Sequence, residues 1–127
     1  HLIVGTELAA EVTGESDPRA MVRGLSRPDR ACCVVTAGER GCWYAEWDGE
    51  VLHVPAFSVP VVDTTGCGDV FHGAFIVGML KGWDLHTTAI FSSAVSALKC
   101  TKLGGRRGIP SFDEVIAFLQ ERGIDIA

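Results

Sequence analysis

The 127 residues carry 11 basic against 16 acidic side chains, a net charge of −5, and only Arg106-Arg107 forms a basic cluster, so nucleic acid is not an expected partner. Hydrophobic residues make up 47% and charged residues 21%, and no apolar run approaches the roughly 18 residues of a membrane span, which predicts one soluble folding unit and no membrane partner. Cys32, Cys33, Cys42, Cys67 and Cys100 are an odd set without a C-x-x-C pair, which signals neither a disulfide framework nor a zinc site and points to the cytoplasm.

His1 is not an initiator methionine and Leu2-Ile3-Val4 reads as a strand entered from earlier residues, without a signal-peptide pattern, so the chain is expected to be a fragment. Thr6 is a candidate N-cap for a helix through Val12 that Gly14 closes, and Asp17-Pro18 opens a second helix running to Leu25. The apolar run Cys32 to Thr36 fits a strand covered on both faces, ending at the turn Ala37 to Gly41. Cys42 to Trp47 and Glu50 to Val54 flank Asp48-Gly49, the signal for a two-residue type I′ hairpin, and Phe57 to Val62 is again strand-like. From Asp69 to Lys81 the residues are apolar on all sides, which predicts a buried helix. Ile90, Ala94, Ala97, Leu98 and Thr101 recur at helical spacing, as do Phe112, Val115, Ile116 and Leu119, with the glycine-rich loop Leu103 to Ser111 between them. Strands mixed with helices, ending in three helices, give an α/β layer arrangement.

Asp63-Thr64-Thr65-Gly66-Cys67-Gly68-Asp69 carries the chemistry. Gly66 and Gly68 flank Cys67 just before a helix, so several backbone N–H groups can converge on one anion with the helix dipole behind them. Asp69, in the first turn, can reach what those amides hold. A carboxylate beside an anion cradle suits phosphoryl transfer, since it takes the proton of an attacking hydroxyl while the amides stabilise charge on the transferred group. The bland alternative is a tight strand-to-helix turn with a structural cap. A Walker G-x-x-x-x-G-K-[ST] sequence is absent.

Residues Asp63 to Phe75 resemble the C-terminal signature D-T-x-G-A-G-D of the ribokinase-type (PfkB) carbohydrate kinases, and Val35-Thr36-Ala37-Gly38-Glu39-Arg40-Gly41 is similar to that family's V-T-x-G-x-x-G strand and turn. The resemblance spans nearly the whole chain and implies a ribokinase-like α/β fold, a doubly wound sheet flanked by helices. In it residues 1–127 are the C-terminal nucleotide-binding and catalytic part, and the N-terminal sugar-binding part and lid are missing. It also implies ATP with Mg2+ as donor and a sugar or sugar-like alcohol as acceptor; a homodimer stays open. Asp69 then matches the catalytic base, Gly66, Cys67 and Gly68 the anion hole, and Thr36 and Gly38 the phosphate-side nucleotide contacts. Ser93, Ala94 and Ala97 match the helix lining the adenine site, although small residues on a helix also serve close packing. Asp63, Thr65, Gly104, Gly105 and Ser111 match a monovalent cation site, K+ in this family; Ser111 and Glu114 equally form a capping box.

Three positions depart from the family pattern. Gly5 and Leu8 stand where many members have the N-x-x-E residues tied to Mg2+, with Glu7 adjacent. Cys67 replaces an alanine, and His72 an asparagine one turn after Asp69, where an orienting role is favoured over a second base. Trp43, Trp47 and Trp83 are expected as core or edge aromatics. Ala97-Leu98-Lys99-Cys100 before a glycine-rich loop is also similar to ketohexokinases, so a ketohexokinase-like or nucleoside kinase, or a non-catalytic nucleotide-binding fragment, remains an alternative.

Overall fold

The computed structural model describes residues 1–126. Its sheet is mixed, in the order β1 (Leu2–Gly5), β2 (Cys32–Thr36), β3 (Cys42–Glu46), β4 (Leu52–Val54). β1 and β2 run parallel, which requires a crossover, and helices α1 (Thr6–Thr13) and α2 (Pro18–Leu25) supply it. Gly14, in the left-handed region at φ 73°, ends α1 and donates its N–H to Ala10 O. Thr6 is the first helical residue and Gly5 takes the N-cap place predicted for Thr6. Asp17 caps α2 as predicted, accepting the Ala20 N–H at 3.1 Å with Pro18 inside the first turn. The core under these helices is Ala9, Met21, Val22, Leu25, Cys33, Val35 and Ala45. Cys32, Val34, Cys42 and Tyr44 are buried too, so β2 is covered on both faces as its unbroken apolar run implied.

Two strand expectations are corrected. The β3–β4 pairing is antiparallel, but β4 starts only at Leu52, and only Asp48, at φ 59°, is left-handed in the connection. A type I′ turn needs positive φ at both central residues; here Gly49 donates to Glu46 O and Val51 is buried, so the loop is longer than two residues. Phe57 to Val62 forms no ladder. Its end is held by helix-terminal bonds instead, with the Val62 and Asp63 N–H groups both donating to Cys100 O.

From Phe57 onward three helices follow: α3 (Cys67–Leu80), α4 (Leu85–Cys100) and α5 (Phe112–Gln120). α3 and α4 form an antiparallel hairpin, with Gly78 lying against Thr88 so closely that a Cβ there would sit 2.6 Å from Thr88 Cγ2. Asp84 caps α4 through the Thr87 N–H at 2.7 Å, which lowers the pKa of its carboxyl. Ser111 and Glu114 form the complete capping box of α5. The core here is Ala74, Phe91, Ala94, Val95, Val115, Phe118 and Leu119. Trp83 stacks against Phe112 and meets Phe91 edge-on, in keeping with its expected core role, whereas Trp47 is half exposed.

Two further expectations change. Instead of one folding unit the chain forms two compact ones, His1–Ala56 and the part from Phe57 onward. And α3 buries only the stripe Phe71, Ala74, Phe75 and Gly78, while Ile76, Val77, Met79 and Leu80 are exposed, Leu80 at 83%. No described helix is long and apolar enough to cross a membrane.

Candidate active site

The Asp63–Asp69 segment turns at Gly66, whose φ of 75° favours glycine and makes it the N-cap of α3. Asp63 fastens the turn from below: its Oδ1 accepts the Thr65 N–H and its Oδ2 the Gly104 N–H, both at 2.9 Å. These two bonds, Thr65 first, hold the Asp63 carboxyl down to about 2, with a smaller contribution from the Lys99 ammonium. Lys99 is fully buried and its Nζ has no hydrogen-bond partner among the described residues. The Gly105 carbonyl also lies against Gly66, so one corner gathers Asp63, Thr65, Gly66, Gly104 and Gly105. Ser111 is engaged elsewhere, as its hydroxyl accepts the Glu114 N–H.

Above this corner the first turn of α3 presents its amides. Val70 N–H makes the first bond to the residue four back, Gly66 O, and Cys67 N–H donates to Thr64 O at 3.2 Å, three back. The Gly66, Gly68 and Asp69 amides take no part in the described backbone hydrogen bonds, the condition in which a helix N-terminus attracts an anion. Asp69 is exposed. His72 donates from Nδ1 to Gly68 O at 2.7 Å, an orienting contact on its own helix.

A cavity of about 720 Å³ opens beside the turn, with Thr65, Gly66, Asp69, Gly105 and Arg106 on its polar rim. Its apolar wall includes Val70, Ala74, Val77, Phe91, Val95 and Phe112. Arg106 was not singled out as a site residue from sequence; an arginine inside a glycine-rich loop close to the signature was its only available signal. Ser93, Ala94 and Ala97 do not line this cavity: Ser93 and Ala94 are buried, and Ala94 and Ala97 belong to the helical core. Thr36 and Gly38 belong to the first compact unit, where Thr36 Oγ1 donates to Val4 O at 3.4 Å and Gly38 starts a 3₁₀ turn at φ 55°.

Contrary to the sequence expectation, Cys67 and Cys100 are joined by a disulfide, with 6.5 Å between their Cα atoms. The reason lies in the topology. Cys67 is the first residue of α3 and Cys100 the last of α4, and an antiparallel hairpin sets those ends side by side.

A model of the pfkB family of carbohydrate kinases matches residues 4–111. The chain belongs to this family. Among its pfkB relatives, the ribokinase of Lactococcus lactis is 37% identical over 94 residues, which are 73% of this chain and 31% of that one. A structure described as a ribokinase from Agrobacterium tumefaciens superimposes with a TM-score of 0.89 and 35% identity, over 95% of this chain and 40% of that one. Another, described as a ribokinase II from E. coli and solved with ATP and Mg2+, gives 0.83 and 27%, over 94% of this chain and 39% of that one. The fold is therefore ribokinase-like α/β. The chain spans about a third of the length of the curated relatives it matches.

Proposed function

We propose that this chain is the nucleotide-binding and catalytic C-terminal part of an ATP-dependent sugar kinase, with Asp69 as the general base. One observation carries the reading: Asp69 and the left-handed Gly66 turn share the rim of a single cavity, beside amides free to receive an anion. The E. coli relative's ATP and Mg2+ support the choice of donor. Asp69 accepts the proton of the acceptor hydroxyl as its oxygen attacks the terminal phosphate, and the Gly66, Gly68 and Asp69 amides stabilise the charge on that phosphate. Mg2+, if bound along with the donor phosphates, would supply charge neutralisation there. Thr36 and Gly38 are proposed as nucleotide contacts of the first compact unit. Asp63, Thr65, Gly104 and Gly105 are proposed to hold a monovalent cation such as K+, which would add positive charge under the anion turn. The Ser111 hydroxyl, engaged as a helix cap, is left out of that set, and Ser93, Ala94 and Ala97 are proposed only as packing beneath the nucleotide.

The sugar-binding part and lid are proposed to lie upstream, since α3 exposes an apolar face and the match covers only 31% of the Lactococcus lactis relative. The test uses the chain extended upstream to the length of its relatives. Asp69→Asn should lower kcat by about 10² to 10⁴, the usual weight of a general base, with ATP affinity unchanged. A kcat near that of the parent would remove Asp69 from the role.

A further inference from the structure

Of the five cysteines, Cys32, Cys33 and Cys42 are buried in the sheet outside any disulfide, and burial pushes Cys32 up to about 11. Only Cys67 and Cys100 are partly exposed, and these two are the bonded pair. A chain stapled for an oxidising compartment does not usually leave three of its five cysteines outside disulfides, which sets this pair apart from a structural framework. Its position is also telling. The peptide of Cys67 is held at three points: its N–H donates to Thr64 O, its carbonyl accepts Ser96 Oγ at 3.2 Å, and its side chain is tied to Cys100. The Cys100 carbonyl, in turn, accepts the N–H groups of Val62 and Asp63, at the base of the same turn. In this disulfide form the Cys67 amide is spent on Thr64 O, whereas the neighbouring Gly66 and Gly68 amides take no part in the described backbone hydrogen bonds.

We infer that Cys67 and Cys100 are a reversible redox site that acts as a brake: the disulfide withholds the Cys67 amide from the bound phosphate, and the dithiol releases it. The inference rests on the proposed reading of the turn as a phosphate site. The oxidant is a low-molecular-weight disulfide. One cysteine thiolate attacks a sulfur of that disulfide and expels a thiolate, which takes up a proton; the second cysteine thiolate then attacks the mixed disulfide and expels the other. The protein loses two electrons and two protons, and the small disulfide leaves as two thiols. Reduction by excess thiol runs the same steps backwards.

The test equilibrates the protein in buffers of graded ratio of reduced to oxidised glutathione. Each sample is then alkylated for mass analysis and titrated with Mg-ATP in a calorimeter. Oxidation should produce a species about 2 Da lighter, with the Cys67 and Cys100 peptides cross-linked and unlabelled, and excess thiol should reverse it. Its ATP affinity should be about tenfold weaker than that of the dithiol form, the weight of one charge-assisted hydrogen bond. Cys100→Val should bind ATP equally in both buffers. A Cys67 that stays alkylatable at every ratio would overturn the proposal, as would equal ATP affinity of the two forms with the cross-link established. A cross-link that forms in a protein binding ATP in neither state would overturn the nucleotide reading along with the brake, and is told apart from the other results by the calorimetry.

Discussion

Asp63 joins two loops through one carboxylate, and its protonation can be followed directly. Backbone N–H groups of Thr65 and Gly104 stabilise the ionised form and lower its pKa from 3.8 to about 2. Because the folded value lies below the unfolded one, the contribution to stability is fully present above the unfolded value and is lost as pH falls through the folded one. The window therefore runs from about pH 4 down to about pH 2. A carbon-detected carboxyl titration should place the Asp63 midpoint near the lower end, and Asp63→Asn should disorder the link to Gly104 at neutral pH. A midpoint near the ordinary 3.8 would mean that these two bonds do not form in solution. The signature containing Asp63 was legible because glycines and acids at fixed spacing have few alternative uses. The Cys67–Cys100 bond was not, since the 33 residues between them give no hint of pairing until α3 and α4 are known to be antiparallel neighbours.

At the scale of elements, local chemistry was readable and long-range pairing less so. Asp17, Gly14 and the Ser111–Glu114 box mark their helix ends through bonds within a few residues. Phe57 to Val62 has strand composition but no neighbouring strand, and composition cannot show which partner a segment finds. The all-round apolar α3 misled for a similar reason: periodicity reports what a helix can bury, and the covering surface need not lie in the same stretch of chain. The α3–α4 contact makes a prediction of opposite signs. Gly78→Ala forces a methyl to within 2.7 Å of the Thr88 hydroxyl oxygen, and Thr88 is buried with little room to move. It should destabilise the protein by about 1 to 3 kcal/mol, as overpacking does. Gly73→Ala, on the same helix with nothing within 4 Å, should stabilise by up to about 1 kcal/mol through helix propensity alone. Urea midpoints of the two variants, each compared with the parent, check both signs.

At the scale of the whole molecule, the chain carries the turn proposed to bind phosphate, its candidate base and a mostly apolar cavity, on about a third of the length of its relatives. Phosphoryl transfer depends heavily on holding the acceptor hydroxyl in line with the donor, and positioning removes about 7 to 11 kcal/mol from a barrier. A chain without its acceptor-binding part should keep the amides and the carboxylate yet lose several powers of ten in rate. The measurement that tests this division most directly is sugar-dependent ADP release from Mg-ATP. It is followed with a panel of sugars for the 127-residue chain and for the same chain extended upstream to the length of its relatives. Turnover is expected from the extended chain alone; sugar-dependent turnover at an ordinary enzymatic rate by the 127-residue chain would show that the acceptor site lies within these residues and contradict the account.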